Sequence, residues 1–288
     1  LPIGDPDVIR NFDHDALRRF YRDWYRPDLM AVIAVGDFDP ADVASRIERR
    51  FSAIPARPDA PARPVFEVPR HPETLVSSVT DPELQVSRVE ALWKLPPESD
   101  GTHADYRRRM VERSWNSMLN IRFFEITRES EQPPFLFAGS GKGLLVRGSE
   151  AFQLQAAVAD GESSAGLERL LLEAERVERF GFTQAELDRQ KADMLRGYQR
   201  AWEEREKSES STYAAEYGRA FLQGESFPGI EYEYALARRY IPGLELEEVN
   251  RLGRRWISDS SRVLLAATPD KDDVEAPTDA ELLSAFDA

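Results

Sequence analysis

Six prolines, Pro55, Pro58, Pro61, Pro64, Pro69 and Pro72, crowd one stretch of this chain. Proline cannot donate the backbone hydrogen bond that a helix interior or a central strand needs, so this stretch runs extended. The chain is thereby divided into a leading segment, 1–55, a linker, 56–72, and a longer segment, 73–288, with the boundary near residue 60.

In the leading segment, Leu17, Phe20, Tyr21, Trp24 and Tyr25 recur at spacings of three and four, which predicts one apolar stripe on a helix over 13–26. Asp13 is its expected N-cap and Pro27 its stop. MAVIAVGD (30–37) is a continuous apolar run ending near Gly36, the pattern of a strand buried on both faces. Asp39-Pro40 then opens a second helix carrying Val43, Ile47 and Phe51 on one side.

Beyond the linker, 73–80 and 83–95 read as strands, with Val89, Ala91 and Trp93 alternating with charged residues. Thr102 and Asp105 form a capping-box-like start for a helix to about Arg128. Two strands are expected at 135–147 and 150–159. Ser164 is expected to cap a helix ending at Gly181. Thr183 and Glu186 form a capping box for a long helix to about Lys207, and further helices are expected over 209–223, 230–240 and 245–257. The strand 262–268 and an acidic tail close the chain. The class is α+β: a mixed or antiparallel sheet packed against helices.

Residues 17–37 are echoed by 249–269. Trp256 follows Trp24 by 232 positions, and the runs 31–35 and 263–267 keep the same offset. Both segments are an amphipathic helix, a Trp, a polar turn and an apolar run, which implies a duplicated domain with one full copy and the tail of another.

The chemistry-bearing residues are sparse. A net charge of −14 and a pI near 4.9 disfavour nucleic acid and anionic membrane surfaces as partners. No apolar run is long enough to span a bilayer, so no membrane insertion is expected. Cysteine is absent, which removes disulfides, thiolate nucleophiles and zinc–thiolate sites. His14, His71 and His103 are scattered, with neither H-E-x-x-H nor H-x-x-E-H. The Gly-rich AGSGKGLLVRG (138–148) fails both the P-loop and the dinucleotide patterns, and a bulge or close backbone approach in a strand accounts for it. No catalytic and no metal-binding residue is expected in this chain. The start at Leu1, with no Met, is read as the start of a piece of a longer protein.

Four stretches resemble the pitrilysin/insulinase family of zinc metallopeptidases, especially its large bacterial zinc proteases. LPIGDPDVIRNF, LRRFYRDWYRPDLMAVIAVGDFDP and IERRFSAIP resemble the end of that family's zinc-bearing domain. LNIRFFEITRE (119–129) and PPFLFAGSGKGLLVRGSEAFQLQAAV resemble the helix and strand pair of the following domain. TQAELDRQKADMLRGYQRAWEEREK is similar to that domain's long helix, and the closing helix and strand match the duplication.

The resemblance implies that 1–55 is the C-terminal helix–strand–helix of an upstream zinc-bearing domain and 73–288 a second, inactive scaffold domain. The whole protein would be a zinc-dependent metalloendopeptidase whose H-x-x-E-H helix and zinc ligands lie upstream of Leu1. This chain, inactive alone, would form a non-catalytic wall of its substrate chamber. Its partners would be the zinc-bearing domain, the C-terminal half of the same protein and a peptide substrate, and its compartment the periplasm. The alternative within the family is a non-catalytic homologue acting as an assembly or recognition subunit, and a rival outside it is an unrelated α+β binding module. Arg128 matches the Arg of the family's substrate-holding Arg–Tyr pair, but Phe135 stands where the Tyr belongs. Arg128 is therefore a candidate substrate contact without its hydroxyl partner, and an ion pair at a helix C-terminus accounts for the same residue.

Overall fold

A computed structural model describes residues 4–129, 131–272 and 274–287. The chain divides into two compact units, one holding the residues up to Pro64 together with Lys207–Phe227, the other Val65–Glu206 with the chain from Pro228 onward.

The first unit opens with α1 (Pro6–Asn11), α2 (His14–Trp24) and α3 (Pro40–Phe51). Each is started by an aspartate whose carboxylate accepts from free first-turn amides: Asp5 from Asp7 N at 2.7 Å, Asp13 from Asp15 N at 2.9 Å, Asp39 from Ala41 N at 2.8 Å. α1 lies ahead of the first element that the sequence pattern marked. No residue of these three helices is buried, and Leu17, Phe20 and Tyr21 of α2 stay more than half exposed. The run 30–37 corrects the sequence expectation. It has no sheet partner, and Met30, Val32 and Ile33 are exposed. An apolar run becomes a strand only when neighbouring backbones take up its hydrogen bonds, and none among the described residues does.

The second unit is built on β1 (Leu75–Asp81), β2 (Ser87–Leu95), α4 (His103–Glu129), β3 (Phe137–Val146), β4 (Ser149–Val158), α5 (Ser163–Phe180) and α6 (Gln184–Glu203). Next in the chain, α7 (Ser210–Gln223) belongs to the first unit. The second unit continues with α8 (Ile230–Tyr240), α9 (Leu246–Trp256), β5 (Arg262–Pro269) and α10 (Asp279–Asp287). The fold is α+β. Its five-stranded sheet runs β1-β5-β2-β4-β3, with β1 parallel to β5 and the other pairs antiparallel. The last strand thus enters the interior of the sheet, between β1 and β2.

Period-2 alternation sends Val89, Ala91 and Trp93 of β2, Phe152, Leu154, Ala156 and Val158 of β4, and Leu264 and Ala266 of β5 to one face. That face packs against α4, α5 and α9, around Trp115, Phe152 and Trp256, whose ring centroids lie 5.2–5.3 Å apart. α5 approaches closely because Gly166 lacks a side chain: a Cβ there would sit 2.3 Å from Val158 Cγ1. It ends at Gly181, φ +75°, a conformation glycine adopts without strain. The helix begins at Ser163 with Glu162 as its N-cap residue, so Ser164 is not the cap.

The capping box of α6 forms as expected, Thr183 Oγ1 and N both donating to Glu186 Oε2 at 2.8 and 2.7 Å. Thr102 and Asp105 do the same for α4. The sequence missed α10, which has its own Thr278–Glu281 pair.

α2 and α9 bear directly on the repeat. Both have eleven residues, both end in Trp, and α9 starts 232 positions after α2. Their C-cap residues, Tyr25 (φ −92°, ψ 79°) and Ile257 (φ −86°, ψ 88°), share one backbone conformation. The buried residues of α9 are Val249, Leu252, Gly253 and Trp256. Their counterparts at the same offset are Leu17, Phe20, Tyr21 and Trp24, the apolar stripe of α2.

Candidate functional site: the open face of the sheet

The face of the sheet turned away from the core carries two rows of side chains that cross all five strands. Registers place Ser77, Leu265, Glu90, Gln155 and Gly139 in one row, and Val79, Ala267, Arg88, Ala157 and Phe137 in the next. A groove of about 640 Å³ lies over them, lined by every residue of both rows except Gly139. Val79 and Phe137 are 52% and 60% exposed, leaving apolar surface at both ends of the second row.

Arg88 and Glu90 point to this face from β2, and neither has an ion-pair partner among the described residues. Burial pushes the Glu90 carboxyl above its ordinary value. Exposed apolar ends, small residues between them and two unsatisfied charges suit a surface that holds an extended chain.

Two other clusters of charge in the unit are spent on its own structure. Lys142, in the middle of the Gly-rich stretch, is buried in β3 and lies 3.0 Å from Glu98, 3.0 Å from Glu112 and 2.7 Å from Glu150. The stretch is a strand with a register irregularity between Leu144 and Val146, not a loop that cradles phosphate. Arg122 pairs with Glu186 at 2.7 Å and Glu173 at 3.3 Å. Burial raises the Glu186 carboxyl, but the Arg122 guanidinium and the Thr183 donors outweigh it and bring it down to about 2. No sequence signal singled out Lys142 as the centre of such a cluster, because its three acids come from a loop, a helix and a strand.

Arg128 lies exposed in the last turn of α4, its guanidinium over the Phe124 ring at 5.4 Å. Phe135 is buried against Phe123, ring centroids 5.9 Å apart, and serves the core. The structure does not bring Arg128 and the groove residues together in one pocket.

The histidines do not converge. His71 Nδ1 is 2.6 Å from Glu73 O, His103 Nε2 is 2.7 Å from Tyr232 Oη, and the His14 ring meets Phe12 edge-on. Among the described residues no group of three or more His, Cys, Asp and Glu is placed to hold a metal ion. The described residues therefore do not fit a zinc site. Among the described residues no helix is long and apolar enough to cross a membrane.

Residues 11–194 match the family described as the peptidase M16 inactive domain. A zinc protease PQQL-like protein of Arabidopsis thaliana is 30% identical over 93% of this chain and 25% of its own length. A probable zinc protease PqqL of Haemophilus influenzae is 23% identical over 93% of this chain and 29% of its own. The chain thus spans about a quarter to three tenths of these relatives. The solved first half of the periplasmic protease PqqL from Escherichia coli superimposes with a TM-score of 0.83 at 18% identity, over 99% of this chain and 61% of that one, a likeness of fold.

Proposed function

The chain belongs to the peptidase M16 family through its inactive domain, and from that premise we propose that it is part of a zinc-dependent metalloendopeptidase and forms a non-catalytic wall of its substrate chamber. The observation that carries this reading is the groove across the open face of the sheet, an extended surface with unpaired Arg88 and Glu90. Its relatives are named zinc proteases, and one solved relative is named a periplasmic protease. On this reading the zinc ligands are supplied upstream of Leu1, the protein works in the periplasm, and a peptide is the substrate.

Residues 1–55 are proposed to be the tail of the zinc-bearing domain, 56–72 a linker and 73–288 the scaffold domain. The correspondence of α2 with α9 supports this, since the stripe exposed on α2 is the one α9 buries. Within the reading Arg128 is assigned a substrate contact, and Arg128→Ala in the complete protein is expected to raise KM with kcat unchanged.

The test is cleavage of a flexible quenched-fluorescent peptide by the complete protein, with and without a zinc chelator, beside this chain alone. Cleavage by the complete protein that the chelator stops, with this chain silent, is the expected result. Silence of the complete protein with zinc added would instead make it a non-catalytic assembly or recognition subunit. Chelator-sensitive cleavage by this chain alone would overturn the assignment of roles.

A further inference from the structure

A second, smaller cavity lies at the far end of β2, where the turn 258–261 meets the segment before β1. It holds about 210 Å³, room for a tetrahedral oxyanion and a few waters at about 30 Å³ per water. Arg70, Lys94, Arg255, Ser258, Ser260 and Ser261 line it. Three backbone-anchored contacts fix its walls: Lys94 Nζ donates to Pro69 O at 2.6 Å, Ser261 N to His71 O at 2.7 Å, and Lys94 N to Ser261 O at 2.9 Å. Arg70 is thereby held between two residues that are each tied to the far wall.

The charge of this cavity is unlike that of the protein around it. In a chain of net charge −14, four cations line it (the three named and Lys142) against a single carboxylate, Glu98. Lys142 is consumed by its three acids and Arg255 is shared with Glu98. Arg70 has no hydrogen bond or ion pair among the described residues, and Lys94 meets only a carbonyl with its ammonium. Arg70 and Lys94 thus line the cavity with no carboxylate partner of their own, and a negatively charged ligand would offset their charge.

Ser261 adds an independent mark. It is the one non-glycine residue among those described with a positive φ, +59°, and its Oγ is buried without a partner. Strained backbone and an orphaned hydroxyl in the wall of a cationic cavity are features of a site shaped for a ligand.

We propose that this cavity binds a small oxyanion, a carboxylate or a phosphate, held by Arg70 and Lys94 with Arg255 and the 258–261 turn beside them. The proposal is independent of the protease reading. The carboxylate could be the free C-terminus of a peptide, and the phosphate a free ion.

Titration calorimetry of this chain at low salt tests it with three probes: inorganic phosphate, an acetylated tripeptide with a free C-terminus, and the same peptide amidated. Binding of phosphate, of the free-acid peptide, or of both supports the site and identifies the source, with the amidated peptide inert. In the R70Q/K94Q variant the affinity is expected to fall about tenfold or more, while Arg200→Gln on α6 leaves it unchanged. Phosphate-induced amide shifts in the unaltered chain, confined to Arg70, Lys94 and 258–261, locate the ligand even if the double variant fails to fold. No binding of any probe at millimolar concentration, equal affinity in a folded R70Q/K94Q variant, or shifts elsewhere would overturn the proposal.

Discussion

Phe20 and Leu252 occupy the same place in two matching helices, yet one side chain is 55% exposed and the other 8%. Truncating each to alanine therefore separates an identical sequence pattern from its packing. Leu252 lies on the buried stripe of α9 with Trp256, which stacks on Phe152 at 5.2 Å. Leu252→Ala removes buried methyl groups and leaves a cavity, a loss of about 3 kcal/mol. For a unit of this size each kcal/mol lowers Tm by about 2–4 °C, so the transition is expected to fall by roughly 6–12 °C. Phe20→Ala deletes a ring that already meets solvent and is expected to shift Tm by about 1–2 °C or less. Differential scanning calorimetry of the two variants beside the parent chain reads both. Equal losses at the two positions would refute the argument, since α2 would then be buried as α9 is, and so would a Leu252→Ala variant that melts with the parent.

Three further outcomes follow from the charges. Lys142→Met takes from Glu98, Glu112 and Glu150 their shared cation, while Glu98 and Glu112 keep Arg108, and urea unfolding at neutral pH is expected to show a loss of about 3 kcal/mol, the lower end for a broken buried pair. The loss should shrink on acidification, beginning with Glu112, whose carboxyl burial raises. Glu186 is held down to about 2 in the fold, so it binds protons less readily there than in the unfolded chain. Its stabilisation is present above the ordinary value of 4.5 and lost as pH falls toward 2, and Glu186→Gln should flatten the pH dependence of Tm across that window. Glu90 is displaced the other way, so charging it opposes folding. Glu90→Gln should melt above the parent at pH 7, with the difference gone below about pH 4, as thermal scans at both pH values would show.

The sequence made the local signals legible. Thr183 with Glu186, Thr102 with Asp105, Gly181 and the alternation along β4 depend on residues a few positions apart, and each is where the pattern placed it. The run 30–37 misled because its composition describes a strand, while being a strand depends on neighbours in space. β5 has the same composition at the same repeat position and does have them, in β1 and β2. The groove was illegible for the same reason, since its rows draw one residue from each of five strands spread over 77–267. Arg128 was read from a resemblance, and its stacking on Phe124 one turn earlier is a local contact the spacing allowed but did not single out.

β1 and β2 follow one another in the chain, yet they are kept apart in the sheet by β5, which pairs Val263 with Leu75 on one side and with Leu92 on the other. About 170 residues separate the end of β2 from β5, and at roughly 5–20 residues per second a ribosome needs about 8–34 s to cross them. Throughout that interval β1 and the facing edge of β2 have emerged without the strand that joins them, and Phe152, once made, waits for Trp256. An interior strand of this sheet is the last to be synthesised, so a chain halted before β5 exposes two open edges where the finished protein has continuous hydrogen bonding.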